Sequence, residues 1–308
     1  MANIAHNMTS ELYESVCNEL RPSGTWVLTE AVRKLLRLHI SRLPQQAASE
    51  QETRYPTNPA GMRAFLDVFF ARHYFQVQNS LIEHLTSESF VESLDDGEVR
   101  ILDIGAGAAV ASIAITDMVT CIAGYLRDRI GYHARVRIKF NYVLNDTSGI
   151  CLSTGQRMLR DYSRFADCRD SIVSRIVPIQ TAFPQNMRQL VRAQRHTGPF
   201  DIIVLSYILN PLNDQQGVDT VGEKISQLRG LLRPNGRVLV LQDRFSASLV
   251  AEIGRILGED FKEDTLCQRV YSTQNDAETY EYTYYACLLE PIGSGVVTSR
   301  RCSVDLTR

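Results

Sequence analysis

The 308-residue chain is 44% hydrophobic and 22% charged with a formal net charge of −2, the composition of a folded globular protein. No overall basic field draws it to a polyanion, which counts against nucleic acid without excluding a local basic strip. Its seven cysteines are scattered with no C-x-x-C pair, so no zinc or iron–sulfur spacing and no disulfide framework is expected.

Taken from the start, "MANIAHNMTSELYESV" lacks the basic and then apolar regions of a secretory signal, so a cytoplasmic location is expected. Residues 1–98 read as helical. Leu12, Val16 and Leu20 recur at helical spacing after Thr9 or Ser10 as N-cap, and "TWVLTEAVRKLLRLHISRL" carries a second amphipathic pattern. The stretch "QQAASEQETRYPTNPAG" loses periodicity and reads as a loop. A long helical pattern rich in aromatics comes next, "MRAFLDVFFARHYFQVQNSLIEHL". This segment is expected to be an N-terminal cap or lid, bounded by the polar turn "SLDDGE".

From Val99 the rhythm becomes short apolar runs alternating with helical stretches: 99–105, 137–146, 174–183, 200–208 and 236–243. Two strand-like segments, 268–273 and 282–290, come after them without a helix between and predict an antiparallel hairpin at the end of the sheet. The pattern predicts an α/β fold, a doubly wound, mostly parallel seven-stranded sheet over 99–291, and a loose tail over 292–308. Residues 101–126 are apolar for long enough to span a bilayer. However, Asp103, Asp117 and the glycine punctuation fit a buried strand–turn–helix instead, so no membrane partner is expected.

The turn "RILDIGAGAAV" lies between the first core strand and its helix. A dinucleotide fingerprint needs a third glycine where Val110 stands, and a P-loop needs a lysine that is absent. The missing glycine disfavours a nicotinamide-dependent reductase. The acid followed by G-x-G-x-G/A, here Asp103, Gly105, Gly107 and Ala109, resembles motif I of class I S-adenosylmethionine-dependent methyltransferases. Glycines let the backbone pass close to a ligand, and a carboxylate suits an ammonium group where it would repel a pyrophosphate.

That resemblance extends in order over 99–243 and implies a Rossmann-like methyltransferase fold with S-adenosylmethionine as cofactor. It places Asp103, Gly105, Ala106 and Gly107 at the amino-acid end and Asp146, with Thr147, at the ribose. It places Gln180, Thr181, Ala182 and Phe183 near the adenine, with Ser206 at the end of the fourth strand. Asp146 comes after Asp103 by far more than the ~20 residues usual in dinucleotide domains, so the intervening helix must be long. "RHYFQVQNSLIEHL", "LNDTSGICLSTGQRML" and "SYILNPL" are also similar to a methyltransferase-like group associated with the mitochondrial small ribosomal subunit and its bacterial relatives. The C-terminal cysteine cluster typical of that group is absent here.

Ligands bind at the C-terminal ends of strands in open α/β sheets. Tyr207 and Asp243, with His73 from the cap, are therefore the candidate catalytic residues, and Tyr55, Tyr74 and Asn210 the candidate acceptor contacts. Asp201 begins its strand and faces the wrong rim. The expected activity is methyl transfer by in-line displacement to a small-molecule nitrogen or oxygen nucleophile in a pocket closed by the cap. The alternative is a methyltransferase-like RNA- or ribosome-associated factor with little or no turnover, to which the arginines between Arg157 and Arg195 would be relevant. The reading leaves a homodimer open.

Overall fold

The computed structural model describes residues 2–130, 138–166, 171–209, 217–269 and 279–292. The N-terminal part runs through α1 (Ala2–Leu20), α2 (Glu30–Ser41), α3 (Glu50–Arg54), α4 (Pro59–Val68), α5 (Phe70–Leu85) and α6 (Glu88–Ser93). The sheet region then runs β1 (Glu98–Ile104), α7 (Val110–Ile130), β2 (Ile138–Asn145), α8 (Gly149–Phe165), β3 (Ser171–Ile179), α9 (Met187–Thr197) and β4 (Phe200–Ser206). It continues through α10 (Val218–Arg229), β5 (Leu232–Asp243), α11 (Ala247–Leu257), β6 (Lys262–Arg269) and β7 (Thr279–Leu289).

The strands form one seven-stranded sheet in the order β3-β2-β1-β4-β5-β7-β6. Pairings from β3 to β5 are parallel, and β7 runs antiparallel to both its neighbours. The central strands are buried on both faces, as their unbroken apolar runs require. One face packs on α9, α10 and α11, and the other on α7, α8 and the N-terminal helices.

The expected terminal hairpin is present, but β7 inserts between β5 and β6 rather than lying outside β6. The chemistry of the two strands explains the order. The β7 run "TYEYTYYACLL" is the more apolar of the two, whereas β6, "KEDTLCQR", carries the charges that blunt an exposed edge. The structure also starts β6 earlier than the sequence pattern did, and residues 270–273 of that expected strand lie outside the described residues.

Two features of the N-terminal part differ from the sequence pattern. The expected loop contains α3, closed by a Ser49–Glu52 capping box. The long aromatic helix is interrupted at Phe69 (φ −106°, ψ −22°), so α4 packs on α8 while α5 packs on α7 and on β5–β7. The N-terminal helices share one continuous core with α7 and α8: Leu12, Trp26, Leu35, Phe70 and Phe75 join Ile113, Met118, Leu159 and Tyr162.

Helix α7 is long and apolar enough to cross a membrane, over Val110–Asp128, yet 67% of that window is buried inside the protein. Its buried Asp117 accepts hydrogen bonds from Thr29 Oγ1 (3.0 Å), Tyr74 OH (2.5 Å) and Tyr162 OH (2.5 Å). A buried carboxylate surrounded by three hydroxyl donors belongs to a protein interior.

Candidate active site

The C-terminal ends of β1, β2 and β4 open into a cavity of about 350 Å³, within the ~300–1,000 Å³ of small-molecule sites. The loop after β1 forms its floor. Gly105 adopts φ +71°, and a Cβ there would stand 2.3 Å from Ile208 Cγ2, so glycine is required on both counts. Gly107, at φ +52°, donates its backbone N–H to Asp146 Oδ2 (2.9 Å). Ala109, the position where the motif admits alanine, also takes a left-handed φ of +60°. Asn145 O accepts from both Gly105 N and Ala106 N (2.9 Å each), which fastens the turn to β2.

Asp103, at 1% exposure, lies one residue before the end of β1, beneath this turn. Its Oδ2 accepts from Ser112 N (3.2 Å) and Ser112 Oγ (2.8 Å), while Oδ1 is buried without a partner. Burial raises its carboxyl to about 6 against the lowering effect of the Ser112 bonds, and the Asp146 charge adds to the rise. Asp146 is also raised by burial, offset by bonds from Ser148, Gly107 and Thr147 N–H groups. Two carboxylates thus flank the glycine turn, and Arg54 is the cationic side chain in the described lining.

The opposite wall is aromatic. Phe65 Cζ stands 3.5 Å from where a Cβ of Gly107 would lie. His73 stacks on Tyr207 with centroids 4.2 Å apart and planes at 19°. Burial, with the Arg72 charge next to it, lowers His73 to about 3, so its imidazole is neutral at physiological pH. Burial raises the Tyr207 phenol, whose hydroxyl donates to the buried Gln76 Oε1. Tyr207 holds a left-handed φ of +60°, a strained conformation for a residue with a side chain.

The cavity gathers many of the residues singled out in the sequence. Asp103, Gly105, Ala106, Gly107, Asp146, Thr147, Ala182, Phe183, Ser206, Tyr207, His73 and Tyr55 all line it. Others are placed elsewhere. Gln180 is exposed and donates to Thr147 O (3.3 Å), and Thr181 Oγ1 donates to Gln189 (3.3 Å); neither lines the cavity. Asp243 caps the short helix after β5, accepting from Phe245 N (2.9 Å) and Ser246 Oγ (3.2 Å). Tyr74 turns its hydroxyl to Asp117, away from the site. Asn210 lies outside the described residues.

Sequence reasoning missed Asn145 and Ser148, next to Asp146, and the strap Arg54–Thr57, from which it took Tyr55 alone. Asn145 Nδ2 donates to Ile179 O (2.9 Å) and Thr181 O (2.6 Å), joining the ends of β2 and β3. Ser148 caps α8 and donates to Pro56 O (2.7 Å), which holds the strap over the cavity. A serine ahead of a helical pattern was the available signal for the second.

No family model and no curated protein matches the chain. Solved structures do match. One is a SAM-dependent methyltransferase from Agrobacterium tumefaciens, 13% identical, with 73% of this chain and 64% of that chain covered at a TM-score of 0.40. The chain thus spans just under two thirds of that protein's length. An O-methyltransferase from Bacillus cereus in complex with SAH is 14% identical, with 93% and 100% covered at 0.37. A magnesium protoporphyrin IX methyltransferase from Synechocystis with bound SAM is 13% identical, with 78% and 99% covered at 0.31.

Proposed function

Starting from the Rossmann-like fold of class I methyltransferases, we propose that this chain binds S-adenosylmethionine and transfers its methyl group to a small-molecule nitrogen or oxygen nucleophile. The carrying observation is the charge of the cavity: the unpartnered Asp103 Oδ1, with Asp146 close by, beneath the glycine turn. A phosphate chain would meet two carboxylates there, whereas a cationic amino acid meets the acceptor it needs.

When bound, the cofactor supplies an electrophilic methyl group on a sulfonium. The protein's part is placement. Asp103 Oδ1 accepts from the ammonium, and Asp146, whose oxygens keep lone-pair capacity beyond the Gly107, Thr147 and Ser148 bonds, accepts from the ribose hydroxyls. Ala182 and Phe183 pack on the base, and Gly107, with no side chain, lets the ligand approach the backbone closely. The strap Arg54–Thr57 and the Phe65–His73–Tyr207 wall exclude water from the remaining space, where the acceptor is aligned.

Calorimetric titration tests this. S-adenosylmethionine should bind and NADH should not. Asp103→Asn keeps an acceptor for Ser112 but removes the charge, and should weaken binding at least about tenfold, equivalent to ~1.4 kcal/mol. An absence of heat with S-adenosylmethionine would refute the reading. A second reading, an RNA-associated factor with little turnover, is favoured by one feature. Residues 171–200 contain four arginines and no acid, and Arg175, Arg188, Arg192 and Arg195 are exposed. Release of S-adenosylhomocysteine with small acceptors but not with RNA would decide for the first.

A further inference from the structure

The acceptor side of the cavity is lined by aromatic rings. Phe65, His73 and Tyr207 all line it. His73 lies 5.7 Å from Phe69 at 30° and meets Phe65 edge-on at 6.0 Å and 70°. Tyr207 is held in its strained backbone conformation from three sides: its N–H donates to Leu241 O (3.0 Å), its hydroxyl to Gln76, and its ring stacks on His73. With the hydroxyl engaged by Gln76, which is fully buried, Tyr207 offers the cavity its ring. Val77, Val110 and Ala111 complete an apolar surround.

We propose that this wall is the acceptor subsite and takes a flat, uncharged aromatic acceptor whose nucleophile is a ring nitrogen with its lone pair free at neutral pH. The inference rests on the methyl-transfer reading of the same cavity. Among the described residues of the lining, none that the cofactor leaves free is equipped to remove a proton from an acceptor near neutral pH. His73 is lowered to about 3, burial pushes the Cys151 thiol up to about 12, and Tyr207 is raised. Asp146 is engaged by Gly107 and Ser148, and Asp103 lies beneath the glycine turn. A protonated amine or a neutral phenol would need such a base, and a heteroaromatic nitrogen does not.

The step balances without one. The nitrogen lone pair forms the N–CH₃ bond as the C–S bond breaks, and the bonding pair goes to sulfur. The positive charge passes from the sulfonium to the ring, and no proton moves. Faces of Phe65 and Tyr207 are negative and favour that cation.

The test uses the full chain loaded with S-adenosylhomocysteine, and the loading itself reports on the methyl-transfer reading. Isoquinoline and its saturated, cationic counterpart decahydroisoquinoline are then titrated by calorimetry. Isoquinoline should bind more tightly by roughly tenfold. Phe65→Leu and Tyr207→Leu should each weaken it roughly three- to tenfold, while Tyr207→Phe stays within about twofold because the ring face remains. Undiminished S-adenosylhomocysteine affinity identifies the folded variants, and turnover of isoquinoline should give a permanently charged N-methyl product. Equal binding of the two probes, or equal losses from Tyr207→Phe and Tyr207→Leu, with the cofactor product still bound, overturns the subsite and leaves methyl transfer standing. Failure of S-adenosylhomocysteine to load overturns both.

Discussion

Asp103 shows how one side chain joins fold and chemistry. One carboxylate oxygen holds Ser112 in the first turn of α7, and the other is buried without a hydrogen-bond partner on a residue that lines the cavity. A cationic ligand stabilises the ionised form, so the carboxyl lies at about 6 in the free protein and lower in the complex. Affinity for S-adenosylmethionine should therefore be constant well above that value. It should fall as pH drops through it, by about tenfold per unit until the complex itself protonates. Calorimetry between pH 5 and 8 checks this, and Asp103→Asn should flatten the profile. Affinity that rose on acidification would contradict the assignment. The same residue explains part of what was legible in the sequence, because an acid before two glycines is a local pattern that needs no distant partner.

On α5, neighbouring residues have opposite duties. His73 and Val77, four apart, face the cavity, while Tyr74, one step round the helix, is buried against α7 and donates to Asp117. A helix turns about 100° per residue, so a cluster of aromatics in sequence is divided between a site and a core. That division is why Tyr74 looked like an acceptor contact and is a structural residue. Asp117 gathers donors from α5 and α8 and from the N-cap of α2. Tyr162→Phe should destabilise the fold by about 1–3 kcal/mol, since a buried carboxylate loses a donor. Chemical denaturation should show that loss while S-adenosylmethionine affinity stays within about twofold, and an equal loss of affinity would mean that the network reaches the site.

Across the whole molecule, the N-terminal helices serve as one layer of the sandwich as well as a cover for the cavity. Trp26, Leu35, Phe70 and Phe75 are buried in the same core as α7 and α8, and each large apolar side chain buried contributes on the order of 1.5–3 kcal/mol. A chain starting at Gly97 should fail to unfold cooperatively on heating, as monitored by circular dichroism, because α7 would be stripped on one side. A cooperative transition in that fragment would show instead that the cap is a separable lid. What closes the cavity locally is the strap Arg54–Thr57, tied at Pro56 O by Ser148 and anchored by the Ser49 capping box.

Residue order alone was enough for the alternation of strands and helices, the glycine turn with its acid, and Asp146 at the end of β2. Each is written in local periodicity or in adjacent residues, where backbone geometry and side-chain chemistry act over a few positions. Three-dimensional packing was needed to put β7 inside β6, to leave Gln180, Thr181 and Asp243 outside the cavity, and to bring Tyr207 onto His73. Those outcomes depend on which faces and strand ends meet across the sheet, and a one-dimensional pattern cannot carry a contact between residues more than a hundred positions apart.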